Sequence, residues 1–463
     1  MKRYLSLLMC LFLLVSMAVG CETASEPAAP AEKPAEAAAL NTEKEFVIHF
    51  MTTPQWKGVY ETTEPNADYP DFWKFVGEEF HKLHPNVTVD VQIVAGNERS
   101  AVLNTNLQAG TQPDIFYESM FPMTDYAHMG VLEPLDDLLS EEDLADISPA
   151  ALAEGNLGGT QWFYPFASGI GLMVVNTDYF REAGLEDMLP AEGAVGNWTP
   201  EQFKDALAAL KQNITKEGFS PFGLFCKSNQ SDQYNNLYLR MYGAKMFNDE
   251  ATACIINSEE GYKAAEFLKD IYDLGYTEPG PETYAGSDIR TMFKNQEIAV
   301  SYFMPGQYIQ AVGEMESGQL EPFGMALFTL PSSGNPICFA SNYGSCVFTN
   351  ADPEQTAWAK EFVKFYSSGT EYPKAGINEG IPARASVAAQ FSDRPHVQLF
   401  SSVTDYCISF SGGIPNYVPF RNLLYPTIQV ILSGEKTPQK ALDDLAADAT
   451  KVIEEGIADS ILY

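Results

Sequence analysis

Five histidines occur in 463 residues: His49, His81, His84, His128 and His396. His81 and His84 stand three apart, a spacing that can place two metal ligands on one helix face. No third ligand stands near them, and a surface pair beside Pro85 is the simpler reading. The chain has no Gly-x-Ser-x-Gly elbow and no phosphate or calcium loop of recognisable spacing. With 62 acids a carboxylate pair for glycoside hydrolysis could be imagined almost anywhere, so abundance carries no weight. No metal and no cofactor are therefore expected. The other chemistry on offer is noncovalent. The chain has 23 Tyr, 29 Phe and 5 Trp, many of them beside Asn, Gln or Glu. Most aromatic residues in any fold are core, so position must decide which of them face a ligand.

The elements that would position them alternate in type. Residues 46–51 read as a buried strand, followed by a polar loop over 52–69 that contains Trp56 and Tyr60. Residues 70–83 read as a helix, with Phe72, Phe75, Val76, Phe80 and Leu83 on one face and Pro85 as its stop. Val87, Val89, Val91 and Ile93 alternate as a strand. A helix over 101–109 and a strand over 114–117 follow. This βαβαβ order implies a parallel sheet with helical crossovers. Thr199-Pro200, Asp352-Pro353 and Thr437-Pro438 each put a capping oxygen before a proline at the first helical position. Gln202 and Gln355 stand where a capping box needs them. Ser258 opens a further helix that ends at Gly275.

The N-terminus reads as an export signal. Lys2 and Arg3 precede an apolar run that ends in Ala18-Val19-Gly20-Cys21. A cysteine directly after a small residue is a candidate lipidation site, so residues 1–20 are read as signal and Cys21 as the lipidated residue. Residues 22–41 are Ala, Pro and Glu with little to bury, and read as a disordered tether. The chain carries 28 basic and 62 acidic residues, a net charge of −34. Loss of Lys2 and Arg3 with the signal takes this to −36. Nucleic acid and anionic lipid surfaces are excluded as partners by that sign. The membrane is reached through the lipid alone. Five cysteines remain beyond Cys21, with no Cys-x-x-Cys spacing. Cys338 and Cys346 could pair across a hairpin, but buried thiols are at least as good a reading. The length beyond the tether suits two lobes.

Ordered phrases then carry a resemblance. They include Leu107-Gln108-Ala109-Gly110-Thr111-Gln112-Pro113-Asp114-Ile115, Gly130-Val131-Leu132-Glu133-Pro134-Leu135 and Tyr164-Pro165-Phe166. Val175-Asn176-Thr177-Asp178-Tyr179-Phe180-Arg181, Gly380-Ile381-Pro382-Ala383-Arg384 and Leu432-Ser433-Gly434-Glu435-Lys436-Thr437-Pro438 complete the set. The sequence resembles the extracellular solute-binding proteins of ABC importers, in the sugar-binding group that includes maltose-binding protein. The resemblance implies an α/β, two-lobed periplasmic-binding-protein-like fold of type II, with crossover hinge strands and an interlobe cleft. Residues 42–167 with 329–370 would form lobe I, and 168–328 with 371–463 lobe II. The crossings would fall at 164–171 and 327–333.

The same resemblance implies a small-molecule ligand, a sugar by family, delivered to permease subunits by a monomer. A sugar is held by rings stacked on its C–H faces and by planar polar groups bonding its hydroxyls. The regions that map to the family's cleft supply Trp56, Glu118, Ser119, Gln307, Tyr308, Asn416, Tyr417 and Arg421. Phe166 on the first crossing joins them, as do Asn342 and Tyr343 on a turn at 341–345. Relatives often carry a tryptophan near Gln307, which is absent here. The alternatives are an exported carbohydrate-active hydrolase, a binding protein for a non-sugar solute, and a secreted adhesin. The adhesin would be expected to show repeats or β-rich patterning, which the chain lacks.

Overall fold

A computed structural model describes residues 40–463 apart from 61–65, Asn97 and Phe410. The expected signal, the tether up to residue 39 and Cys21 lie outside the described residues. Asn41, read as the tether's end, is tied to the body. Its carbonyl accepts from Trp358 Nε1 at 3.2 Å and its amide reaches Glu354 at 3.0 Å.

The first three strands follow the expected order. β1 (Phe46–Thr52), β2 (Val87–Ile93) and β3 (Ile115–Ser119) are parallel, with β1 in the middle. The intervening helix, Asp71–Leu83, buries Phe72, Trp73, Val76 and Phe80. Leu83, expected on that face, is exposed, and Trp73 takes the inward position. A short hairpin follows, β4 (Asn156–Leu157) and β5 (Thr160–Gln161).

The next strand organises the rest. β6 (Tyr164–Asn176) is fully buried over thirteen residues. Beyond it come β7 (Ser220–Phe222), β8 (Ile298–Phe303), β9 (Met325–Phe328), β10 (Phe339–Val347) and β11 (Ile381–Pro382). The sheet runs β2-β1-β3-β10-β6-β8-β7, with β9 and β11 also paired to β6. The first half of β6 lies antiparallel to β10, from Tyr164↔Ser345 to Gly171↔Phe339. Its second half pairs with β8 and β9. One strand thus serves both halves of the sheet. Each half has its own apolar core. One gathers Phe50, Trp73, Phe80, Trp358 and Phe362, and the other Trp198, Phe203, Phe222, Tyr302 and Leu424.

Three expectations change. The return alongside 164–171 is made by β10, not by residues 327–333. Residues 341–345, expected as a turn, lie within β10. Gly344 is required there because a Cβ would come within 2.4 Å of Tyr164 O, so the close approach is to a neighbouring strand rather than to a ligand. The chain also stays with the first core beyond residue 370. Ala375 and Ala383 pack in it, and buried Arg384 bonds Asp143, Asp146, Tyr164 Oη at 2.8 Å and Ser367 O at 2.9 Å.

The proline-led helices begin as expected. Thr199 and Gln202 form a reciprocal capping box, at 3.2 and 2.9 Å. Asp352 caps through Glu354 N, but Gln355 does not close a box. Its amide is drawn instead to Val47 O and Asp114. Of the two readings left open for Cys338 and Cys346, that of buried thiols holds. Cys338 Sγ lies 3.3 Å from Cys407 Sγ, whereas Cys346 Sγ points to Phe116 O. All five described cysteines are free.

Glu278 provides a test of the second core. Its side chain is buried, and both carboxyl oxygens accept from Leu224 N, at 3.2 and 3.1 Å. Burial pushes its pKa from 4.5 to about 8, partly opposed by that amide. A folded-state pKa above the unfolded value means the native state binds the extra proton. The stability it confers is complete below 4.5 and is lost as pH rises through about 8. Thermal unfolding across that window should show falling stability in the wild type. Glu278→Gln should reduce the slope, and an unchanged slope would refute the assignment.

Candidate functional site

A cavity of about 300 Å³ opens between the two halves of the sheet. It lies at the carboxyl ends of β3 and β8, where open α/β sheets place their ligands. From the β3 side come Glu118 and Ser119, and from the start of the helix Arg99–Ala109 comes Arg99. From the β8 side come Met304 and Gln307. The segment around the helix Asp232–Leu239 adds Gln230, Gln233 and Tyr234, and the helix Gly286–Lys294 adds Ser287 and Arg290. Tyr343 of β10 and Arg421 of the helix Tyr417–Ser433 complete the wall.

Several of these groups are held by neighbours. Glu118 accepts from Ser119 N and Oγ, each at 2.8 Å, and from Thr53 Oγ1. Gln307 Oε1 accepts from Met304 N at 2.7 Å, fixing the first turn of the helix Pro305–Glu316. Arg421 is paired in full: its Nε and Nη2 reach Asp232 at 2.8 and 3.0 Å. Burial works against the Arg421 charge, but Asp232 outweighs it and holds the pKa above the ordinary value. Tyr417 Oη donates to the same carboxylate at 2.8 Å.

The structure brings Glu118, Ser119, Gln307, Tyr343 and Arg421 to this cavity and places the other six candidates elsewhere. Trp56 is 5% exposed and sits in the first aromatic core, 5.3 Å from Phe72 and 5.9 Å from Trp73. Its loop is polar, but the ring turns inward. Phe166 lies in the same core against Trp73 and Tyr117. Tyr308 faces Phe400, one position round the helix from Gln307. Tyr417 is fully buried against Asp232 and Phe121. Asn416 takes a left-handed conformation, φ 58°, and bonds Val452 O.

Asn342 is displaced by strand geometry. Successive residues of a strand face opposite sides. Ser341 and Tyr343 face the cleft cavity, so Ala340 and Asn342 face another, of about 530 Å³. There Asn342 bonds Glu154 and accepts from Ser168 Oγ at 2.6 Å. That second cavity is larger but collects none of the other ten candidates. The histidine pair is also explained: His81 Nδ1 meets Val87 O at 2.7 Å, and His84 packs on Phe80 and Trp358. Among the described residues no cluster of three potential metal ligands exists.

Sequence reasoning missed Arg99, Gln230, Gln233, Tyr234 and Arg290. A signal for three of them was present. Residues 227–236 are a polar run interrupted by a single Tyr, with no apolar periodicity, inside an otherwise hydrophobic lobe.

The profile of the bacterial extracellular solute-binding proteins matches residues 64–369, and the chain belongs to that family of binding proteins. A Brucella abortus (strain 2308) protein, named provisionally as a binding protein, is 23% identical over 394 residues, covering 84% of this chain and 92% of that one. An ABC transporter solute-binding protein from Thermotoga lettingae TMO, bound with alpha-D-tagatose, superposes with a TM-score of 0.71 at 20% identity. The match covers 89% of this chain and 100% of that one. The cyclic alpha-maltosyl-1,6-maltose binding protein of Arthrobacter globiformis gives a TM-score of 0.70 at 19% identity, over 88% and 99% of the two chains. The fold is the two-lobed one these proteins share.

Arg421 was expected to touch ligand, but its guanidinium is consumed by Asp232, which is 0% exposed. Arg421→Met would leave that carboxylate buried and unpaired, a loss of about 3–5 kcal/mol. Denaturant unfolding should read this as a large fall in midpoint. A variant as stable as wild type would show the pair to be dispensable.

Proposed function

We propose that the protein captures a mono- or oligosaccharide in the interlobe cavity and delivers it to the permease subunits of an ABC importer. The observation that carries this is the mixed lining of the cavity. Rings at Tyr234 and Tyr343 meet the amides of Gln230, Gln233 and Gln307, contributed by both halves of the sheet. Rings cover C–H faces and amides bond hydroxyls, the pairing that polyhydroxylated ligands require. A cavity of about 300 Å³ is at the small end of ligand sites, which suits a short saccharide. The sugars named for the Thermotoga and Arthrobacter relatives support the same ligand class.

In this reading residues 42–167 with 329–370 are the frame of lobe I, extended through Arg384, and 168–328 with the remainder form lobe II. Ligand contacts are assigned to Glu118, Ser119, Gln307 and Tyr343, with Arg421 as a positioning residue. The protein acts as a monomer, held at the outer face of the cell membrane by lipid on Cys21.

Titration calorimetry against mono- and oligosaccharides tests the ligand class. Saturating heat without release of reducing sugar is the expected result. Released product would convert the protein to a hydrolase, and no heat with any saccharide would overturn the sugar assignment. The anchor is tested separately. Cys21→Ala should abolish lipid labelling and move the protein from membrane to soluble fractions; unchanged partitioning would contradict the anchor.

A further inference from the structure

Arginine is scarce in this acidic chain. There are eight, and three of them, Arg99, Arg290 and Arg421, line the one cleft cavity. Arg421 is neutralised by Asp232, as described. The other two are not neutralised. Arg290 has no hydrogen bond and no ion pair with any described residue, although it is half-buried on the helix Gly286–Lys294. Arg99 Nη1 donates to Gly96 O at 3.0 Å, while its Nε is buried without a partner among the described residues. The two guanidiniums come from opposite halves of the sheet.

An uncompensated charge in a partly dry site is costly, and one that persists there implies a counter-charge supplied from outside. Burial lowers the pKa of Arg290, with Tyr234 and Asp288 only partly opposing it. Glu118 forms no ion pair with either guanidinium; its two oxygens accept from Thr53 and Ser119. The helices carrying the two arginines also begin at the cavity; that of Arg99 has no side chain capping its first turn, whereas Asp288 accepts from Ala285 N at 2.8 Å at the start of the other. The open N-terminal end of the helix Arg99–Ala109 adds positive potential beside Arg99. Gly286 keeps room for Arg290, since a Cβ there would lie 3.1 Å from the guanidinium Nη1.

Resting on the saccharide reading above, we propose that the ligand is an anionic saccharide whose acidic group bridges Arg99 and Arg290 as the lobes meet around it. The guanidinium fork matches a carboxylate, sulfate or phosphate oxygen pair, and a neutral sugar would leave both charges unanswered. The polar rings and amides then hold the remainder of the sugar.

Calorimetry on the intact mature protein separates the possibilities. The probes are glucuronic and galacturonic acids with their short oligomers, a sulfated galactose and glucose 6-phosphate, run against glucose, galactose and maltose. At least one acidic arm should bind about tenfold or more tighter than its neutral counterpart, and the arm that does so identifies the acidic group. Arg99→Gln and Arg290→Gln should each weaken that arm about tenfold to a hundredfold, and weaken any neutral-sugar binding much less. Rising salt should weaken the acidic arm selectively. Arg290→Gln removes a charge without a partner, so it should fold with an unreduced melting temperature, in contrast to Arg421→Met. Saturating heat from neutral sugars alone would overturn the anionic assignment and leave the binding reading intact. No heat from any saccharide would overturn both.

Discussion

The antiparallel pairing of β6 with β10 is the constraint on which the rest of the structure depends. It is the seam between two half-sheets, and β6 is buried along its whole length. β3 is hung on the outer edge of β10, and β8 and β9 on the far half of β6. The seam is close-packed at its bulge, where only glycine fits beside Tyr164 O. Arg384 secures the entry to β6 by bonding Tyr164 and the acids of the neighbouring helix Glu141–Asp146. Such a buried network, broken on one side, would leave carboxylates uncompensated, so it favours one arrangement of these elements over others.

The cleft inherits its geometry from that seam. Because residues alternate along β10, Tyr343 faces one cavity and Asn342 the other. Because β3 and β8 end on the same side, Glu118 and Gln307 approach each other from different lobes. Glu118, Ser119 and Arg421 are already held by their own lobe, which fixes those parts of the wall before any ligand arrives. Preorganisation of this kind lowers the ordering cost of binding. The two guanidiniums have no counter-charge among the described residues, and incomplete polar satisfaction concentrates at functional positions.

Much of the fold was legible in the sequence. The βαβαβ start, the proline-led helix caps and the first crossing are local patterns, set by apolar periodicity and capping chemistry. The return crossing was not legible, because residues 327–333 and 339–347 both mix apolar with small polar residues and only pairing distinguishes them. Trp56 shows a second kind of loss. A polar loop says where the backbone lies, not which way one large ring turns, and the nearby aromatic core captured it. Asn342 shows a third: adjacent candidates cannot both face one site once they lie on a strand. Arg99 and Arg290 lie at unremarkable helix positions, and their missing partners become visible only in three dimensions.

A small polar contact also joins the two sides of the cleft. Asp125, from the short helix Thr124–His128, accepts the amides of Tyr417 and Val418 at 2.8 and 3.2 Å, at the start of the helix Tyr417–Ser433. The carboxylate thereby completes an open helix end that belongs to the other core. Burial raises the Asp125 pKa to about 6 against the pull of these amides, so the bonds are made in a largely dry place. The contact therefore aligns the helix but does not hold it alone: Phe121 packs edge-on against buried Tyr417 beside it, so parting the two sides would also bare two rings.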